Sequence, residues 1–351
     1  MASDFTGKPP SLKSVAAAAG VSAMTASRAF KEGTPVRPEV RARVLREAER
    51  LGYRPDRMVS SLMSSLAARK GAQFRETIGA IWWSAVWKEL PGNGFFGDVC
   101  RGFETAAGLH GCKIEHFCYG GENTAAVLER MLVSRGIESV LVTSPPEASE
   151  PAPALDWSRF SVVAVGATLR SPQFHRVMPG HFHAVGMVLS RLASLGISRP
   201  CLLVGEDLDY RTHHGYSGAF LASTPDAPQR LWKVADPEQS GLHEWLQRVK
   251  PEAVIADNDS WLRRLPDFWA HGRFLSLDAN RSTLNCSGIR QQGSYIGECA
   301  VDLVMRSRLR NETGIPSRPL TLFCDGEWNE GETFCPERIV EKGRSDRRDP
   351  S

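Results

Sequence analysis

The stretch that decides the N-terminal fold is residues 11–30, SLKSVAAAAGVSAMTASRAF. Its first apolar residues recur at the i, i+3, i+4 and i+7 spacing of one helix face, namely Leu12, Val15, Ala16 and Ala19. Gly20 permits the positive φ of a tight turn, and Ser22 can cap a second helix that runs to about Phe30. A third helix is expected from Pro38 to Gly52. Two short helices on either side of a glycine are typical of a helix-turn-helix.

The segment that contains this motif is basic. Residues 1–77 carry 14 Lys and Arg residues against 7 Asp and Glu, whereas the remaining residues carry 29 against 33. A basic module joined to a mildly acidic body indicates a polyanion as partner, and a solvated basic face without a partner is the alternative.

The second helix of the motif has the composition of a recognition helix. Its start offers small and hydroxyl side chains that suit a major groove and its phosphates: Ser22, Thr25 and Ser27. Arg28 can make a bidentate contact with guanine, whereas Ala23 and Met24 can give only apolar contact. The alternative is a small three-helix domain that binds no DNA.

The rest of the chain predicts an α/β protein. From Ile78 onward, short apolar strands alternate with amphipathic helices over about 250 residues, which indicates parallel sheets covered by helices. The strands are expected at 78–83, 113–117, 139–143, 161–165, 201–204, 253–256 and 274–277. The helices are expected at 97–110, 124–135, 182–196, 215–222, 242–249, 260–269 and 295–309. The repeated alternation suggests two lobes.

Composition excludes several classes of protein. With 42% hydrophobic and 24% charged residues, the chain is neither a disordered nor a collagen-like sequence. The N-terminus has no secretory signal and no apolar run is long enough to cross a bilayer, so we expect a cytoplasmic protein that does not contact membranes. The eight cysteines contain no Cys-x-x-Cys pair, so no metal site and no cofactor is predicted.

Residues 11–62 resemble the DNA-binding head of the LacI/GalR family of bacterial transcription regulators. The matching motifs are Ser11-Leu12-Lys13-Ser14-Val15-Ala16, Ala19-Gly20-Val21-Ser22, Thr25-x-Ser27-Arg28, Val36-Arg37-Pro38-Glu39-Val40-Arg41 and Leu51-Gly52-Tyr53-Arg54-Pro55. The resemblance implies that Ala23 and Met24 occupy variable, specificity-setting positions and that Arg28 is the near-fixed arginine. It also implies a DNA contact at Tyr53 and a hinge helix after it, with Leu62 in the minor groove and Val59 at a helix contact.

A weaker resemblance to the same family continues over residues 78–333. It is carried by Arg101-Gly102-Phe103-Glu104, Pro251-Glu252-Ala253-Val254-Ile255-Ala256-Asp257-Asn258 and Ser287-Gly288-Ile289-Arg290-Gln291. It implies a two-lobed α/β domain like the periplasmic binding proteins, with a ligand between the lobes. The implied organisation is a helix-turn-helix head (1–55), a hinge helix and linker (56–77), an effector-binding and dimerisation domain (78–335) and a tail expected to be disordered (336–351).

Ligands of open α/β sheets bind beyond the carboxyl ends of the strands. The residues just after predicted strands are therefore the candidate effector contacts: Trp82, Trp83, Trp87, His181, His183, Arg211, Asp257 and Asp278. Aromatic faces and polar groups of this kind suit a sugar-like molecule, although core or dimer packing is the alternative for the tryptophans. The two histidines hint at a metal, but an ordinary polar loop is the favoured interpretation.

The sequence thus predicts a dimeric DNA-binding repressor whose affinity for double-stranded operator DNA is changed by a small, sugar-like molecule, a carbohydrate, in the cleft. The alternative is a soluble sugar-binding protein without a DNA role. An enzyme is not expected, because no nucleophile, phosphate-loop or zinc-protease motif occurs. Three features depart from the family pattern: alanines at 26 and 29, a longer stretch at 63–70, and Pro179-Gly180-His181-Phe182-His183 in place of Asp-Asn-x-x-Gly.

Overall fold

The structure, a computed structural model, describes residues 12–22, 25–26, 29–30, 36–51, 76–87, 94–223, 226–235, 240–279 and 285–336. The chain divides into two compact units, residues 1–73 and residues 74–351. Each unit has its own hydrophobic core.

The N-terminal unit is helical. Helices α1 (Leu12–Ala18) and α2 (Pro38–Arg50) are joined through a segment that is helical at residues 25–26 and 29. Gly20 has a φ of 62°, as a tight turn requires. The Ser22 hydroxyl accepts a hydrogen bond from the Thr25 amide at 3.1 Å, so the predicted cap is confirmed.

The core of this unit is made almost entirely of small residues. Its buried members are Val15, Ala16, Ala19, Ala26, Ala29, Val44 and Ala48. Ala26 and Ala29 are 0% and 1% exposed. The departure from bulkier residues at these two positions is therefore matched by alanines on the facing helices, so that the helices can approach closely.

The second unit contains two six-stranded sheets, one in each lobe. The lobe 1 sheet is parallel, and its strands are β1 (Glu76–Trp83), β2 (Cys112–Tyr119), β3 (Ser139–Thr143), β4 (Ser161–Val165), β5 (His175–Pro179) and β11 (Thr321–Cys324). They lie in the order β11-β5-β4-β3-β1-β2.

The lobe 2 sheet is parallel except for one edge strand. Its strands are β6 (Pro200–Gly205), β7 (Leu231–Val234), β8 (Ala253–Ala256), β9 (Phe274–Ser276), β10 (Gly288–Arg290) and β12 (Glu327–Asn329). Their order is β12-β10-β9-β8-β6-β7, and β12 runs antiparallel to β10.

Helices cover both faces of each sheet. In chain order they are α3 (Ser84–Trp87), α4 (Phe95–Leu109), α5 (Ala125–Ser134), α6 (His181–Ser194), α7 (Glu206–Arg211), α8 (Gly215–Ser223), α9 (Leu242–Val249), α10 (Pro266–Ala270) and α11 (Gly293–Leu309). Short 3₁₀ turns occur at Trp157–Arg159, Ala227–Arg230 and Asp259–Arg264. This is the doubly covered arrangement that strand–helix alternation predicts.

The described chain passes between the lobes at three crossovers. They join β5 to α6, β10 to α11, and β11 to β12. Each lobe is therefore assembled from distant parts of the chain, and short segments link the two lobes. The carboxyl ends of parallel strands from both lobes line a cleft between them.

Two expectations about the elements need correction. The single helix expected at 260–269 is a 3₁₀ turn followed by α10, because Pro266 has no amide hydrogen and pushes Leu265 out of the helical region, to φ −128° and ψ 47°. Strands β5, β7, β10, β11 and β12 were not among the predicted strands. Within the described ranges, no helix is long and apolar enough to span a membrane.

Candidate functional site

A cavity of about 400 Å³ lies at the carboxyl ends of strands from both lobes. We call it the cleft cavity. Its lining includes the ends of β3 and β4 in lobe 1 and the residues after β6, β8 and β9 in lobe 2, namely Thr143, Ser144, Val165, Gly166, Gly205, Glu206, Asp257, Asn258 and Asp278. A cavity of this size holds a small molecule, and one bound there would touch both lobes.

Four of the predicted effector residues line the cleft cavity: His181, Arg211, Asp257 and Asp278. Asp257 is 2% exposed and its carboxylate is already used by the protein. Its Oδ2 accepts from the Gly205 amide at 2.7 Å, and its Oδ1 accepts from Asn258 Nδ2 and Trp261 Nε1, both at 2.8 Å. Asp257 therefore positions the loops after β6 and β8, and its negative charge remains beside the cavity.

The short helix α7 forms one wall, with Glu206, Asp207 and Arg211 among its lining residues. Arg211 Nε donates to Asp207 Oδ2 at 2.7 Å, one turn away. The first turn of the helix is acidic, and negative side chains at a helix N-terminus interact favourably with the helix dipole.

Helix α7 is anchored by a residue that sequence reasoning missed. Asp209 is 1% exposed, and its Oδ2 accepts from Lys233 Nζ at 2.6 Å and from His214 Nδ1 at 2.9 Å. Ser217 adds bonds from its amide (3.1 Å) and its hydroxyl (2.8 Å). Burial alone would raise the pKa of Asp209, but these hydrogen bonds outweigh burial and lower it. A charged residue inside a short acidic helix gives no sequence signal that it is buried.

The lobe 1 wall is a compact turn after β3 and β4. The Ser144 hydroxyl donates to the Val165 carbonyl at 3.0 Å and accepts from the Thr168 amide at 3.2 Å. Gly166 has a φ of 93°, and a Cβ there would lie 2.3 Å from Ser144 Oγ. A glycine is therefore required for both the backbone conformation and the close approach of Ser144.

The aromatic surface of the cavity comes from residues other than those predicted. Phe95, Phe96 and Trp261 line it. Phe95 and Phe96 were not among the candidate effector contacts that the sequence predicted. The signal that could have found them is that the N-terminus of a helix following β1 also lies at the carboxyl edge of the sheet.

The predicted tryptophans do not line the cleft cavity. Trp82 and Trp83 are 0% and 5% exposed and belong to the cores on opposite faces of the lobe 1 sheet, because side chains alternate along β1. Trp82 supports the wall from behind, with its ring 6.3 Å from that of Phe96. Trp87, 37% exposed, lies at the end of α3, away from the cavity. The expected contact of these three side chains with a cleft ligand is thus not supported.

The two predicted histidines have different surroundings. His181 is buried, its ring lies 4.9 Å from that of Tyr216, and its Nδ1 has no hydrogen-bond partner in the described structure. Burial and the neighbouring His213 lower the pKa of His181 to about 4, so it is neutral at pH 7. His183 is not part of the cleft cavity, and its Nδ1 lies 2.7 Å from Asp325 Oδ1.

One cluster has the composition of a metal site, on α4 and β2 of lobe 1. It consists of Cys100, Glu104 and His116, with Cys100 Sγ 3.6 Å from His116 Nε2. Trp82 Nε1 donates to His116 Nδ1 at 3.0 Å, so the neutral imidazole carries its proton on Nε2, toward the cysteine. Because that nitrogen has no free lone pair, the arrangement does not suit metal binding.

In the N-terminal unit, Ser22 and Thr25 are the predicted DNA contacts that the structure describes. Their hydroxyl oxygens are 2.9 Å apart, and Ser22 is exposed. The other predicted DNA contacts lie outside the described residues: Ala23, Met24, Ser27, Arg28, Tyr53, Val59 and Leu62. The predicted segment 63–70 lies outside them as well.

Comparison with known proteins agrees with this architecture. Residues 11–56 match the family model of bacterial regulatory proteins of the lacI family. No curated protein matches the chain. The N-terminal segment 11–56 is therefore similar to the DNA-binding domain of lacI-family transcription regulators.

Similar solved structures show that the fold extends beyond the head. The transcriptional regulator CelR in complex with cellobiose is 21% identical, with a TM-score of 0.53 over 92% of this chain and 99% of that one. A LacI transcriptional regulator from Rhodococcus species is 15% identical, with a TM-score of 0.54 over 74% and 99%. CcpA from Weissella paramesenteroides with bound glucose is 14% identical, with a TM-score of 0.51 over 74% and 99%. The two-lobed unit therefore has the fold of lacI-family effector domains.

Proposed function

We propose that this protein is a homodimeric repressor that binds a specific operator through residues 1–55. A ligand in the cleft cavity would raise or lower its affinity for that operator. The observation that carries the proposal is one chain with both a lacI-family head and a cavity lined by two lobes. The hinge and linker (56–77) would join the head to the effector and dimerisation domain (78–335). The protein would work in the cytoplasm and catalyse no reaction.

A ligand in the cleft cavity has a physical means of acting. It would contact the lobe 1 turn at Ser144 and the lobe 2 residues Arg211 and Asp278 together. A ligand changes a conformational equilibrium only through different affinities for its two states. A ligand that bridges the lobes meets this condition, because its contacts on one lobe are lost or gained as the lobes move.

The charges of the cleft cavity indicate the class of ligand. Four acidic residues line it, Glu206, Asp207, Asp257 and Asp278, against one arginine, Arg211, which is paired with Asp207. This balance disfavours an anion. Carboxylates accept hydrogen bonds from hydroxyls, and the rings of Phe95, Phe96 and Trp261 suit the C–H faces of a sugar. A neutral or amino-bearing carbohydrate fits best, and relatives solved with cellobiose and glucose support that class.

The test is a thermal-unfolding screen of the full-length protein against glucose, cellobiose, glucosamine and related sugars. A true cleft ligand should raise the Tm of the wild type. Asp278→Asn should abolish the rise, whereas Asp302→Asn, at an exposed carboxylate on α11 paired with His110, should retain it. The same sugar should then change operator affinity in a gel-shift assay. If no sugar of the panel stabilises the protein, or if both variants lose the effect, the assignment of the cleft is wrong.

A further inference from the structure

A second cavity lies beside the crossover from β5 to α6, and we call it the crossover cavity. It has a volume of about 870 Å³ and shares only His181 and Thr212 with the cleft cavity. Lobe 1 contributes Arg170 and Arg176, and lobe 2 contributes His213. Like the cleft cavity, it is therefore formed by both lobes, but its lining has a different chemistry.

The crossover cavity carries uncompensated positive charge. Burial, and then the charge of Arg170, lower the pKa of Arg176 to about 10. Burial and the same arginine also lower the pKa of His213. Of the described residues that line the cavity, Asp325 alone is acidic, and it is paired with His183. Two arginines thus repel each other where no free carboxylate balances them.

The arginines are held in place without being fully used. Arg176 donates Nη1 to the Gly166 carbonyl at 2.6 Å and Nη2 to the Leu169 carbonyl. Arg170 donates Nη2 to the Tyr210 carbonyl and lies 4.1 Å from the centre of the Tyr210 ring. Arg170 Nε is buried and has no hydrogen-bond partner in the described structure. A guanidinium has five N–H donors, so each arginine keeps donors for a ligand.

Two further features favour an anion with an apolar part. Helix α6, 14 residues long, begins at this cavity, and the first amides of a helix carry partial positive charge and have no partner within the helix. Aromatic and aliphatic side chains form the rest of the wall: Phe174, Met178, Phe182 and Phe323. Phe182 and Phe323 are 58% and 60% exposed.

We propose that the crossover cavity is a second ligand site, which takes a small organic oxyanion, a phosphate ester or a carboxylate with a partly apolar body. Arginines and a helix N-terminus are the groups that proteins use for such oxyanions. The site differs from the acidic cleft cavity in the charge of its ligand. Because it touches both lobes and shares a wall with the cleft at His181, its ligand is a second input to the lobe equilibrium.

The test is calorimetric titration of the full-length protein at constant ionic strength with phenyl phosphate, benzoate and inorganic phosphate. Saturable binding of an aromatic anion, tighter than that of inorganic phosphate, is expected. Tighter phenyl phosphate indicates a phosphate ester as the natural class, and tighter benzoate indicates a carboxylate. Arg170→Gln should weaken binding roughly tenfold or more, the equivalent of one charge-assisted hydrogen bond.

The matched control is Arg191→Gln, because Arg191 also lies over an aromatic ring, 4.5 Å from the centre of Trp328, and pairs with Glu330 outside the cavity. The Arg191→Gln variant should bind the anions as the wild type does. Because its N-terminal head is unchanged, the variant also controls for anions that bind to the basic head. Phe323→Ala, at an exposed side chain, should weaken phenyl phosphate and leave inorganic phosphate unchanged. No saturable binding of any probe, or equal effects of the two arginine variants, would overturn the proposal.

Discussion

Replacing Asp209 by asparagine should destabilise lobe 2 by about 2–4 kcal/mol. Asn has one acceptor where the carboxylate has two, so it must turn its NH₂ either toward the Ser217 amide or toward Lys233 and His214, and each of these is a donor. Breaking a buried ion pair costs about 3–5 kcal/mol. Lys233, whose side chain is 34% exposed, can recover some hydration, which reduces that figure.

The assay is thermal unfolding of the full-length variant, followed by circular dichroism. At roughly 2–4 °C per kcal/mol for a domain of this size, the Tm should fall by on the order of 10 °C. The control is Asp207→Asn on the same helix. Asp207 is 69% exposed and pairs with Arg211 at 2.7 Å, and such a surface pair contributes about 0.5 kcal/mol at most. Equal Tm shifts for the two variants would refute the anchoring role of Asp209.

The pH dependence of this difference has a definite sign. The pKa of Asp209 is lower in the folded protein than in the unfolded chain, where an aspartate has a pKa of about 3.9. The stabilisation is therefore fully present above the unfolded value and is lost as the pH falls through the folded one. The Tm difference between wild type and Asp209→Asn should stay constant from about pH 8 to pH 5 and shrink only below about pH 4.

Substitutions at Gly166 and Trp82 distinguish a residue that forms the wall of the cleft cavity from one that only supports the wall. Gly166→Ala should lower both the Tm and the affinity for a cleft ligand, because its Cβ would lie 2.3 Å from Ser144 Oγ. The control is Gly196→Ala, where φ is 75° and a Cβ meets open space. This control should lose only about 1–2 kcal/mol of stability to backbone strain and keep the affinity for the ligand. Trp82→Phe should lower Tm by losing volume and the bond to His116, yet leave the Kd of a cleft ligand within about twofold, since Trp82 is fully buried. A large increase in the Kd measured by calorimetry would instead show that Trp82 contributes to binding of the ligand.

The head could be predicted from sequence because its signals are local. Gly20 makes the turn and Ser22 caps the next helix within three residues. The positions of Asp257 and Asp278 on the cavity were also within reach, since both directly follow apolar strands whose ends meet at one edge. Their part in binding a ligand stays a prediction.

The tryptophans show where this reasoning fails. A strand end predicts that a side chain reaches the cleft only if no element covers it, and β1 is covered on both faces. Trp82 and Trp83, adjacent in sequence, therefore enter two different cores. The anchoring role of Asp209 was not predicted, because its partners Ser217 and Lys233 come from elements that only the tertiary fold brings beside α7.

We propose that this chain recognises a specific operator, and selection of bound sequences from random duplex DNA by the full-length protein tests this most directly. We expect the selected sequences to share a pseudo-palindrome whose two half-sites reflect a dimer. Arg28→Ala should lose about 1–3 kcal/mol of discrimination at one guanine of each half-site. If the wild type enriches no sequence, with or without a sugar that binds the cleft, the protein is not a specific operator-binding regulator.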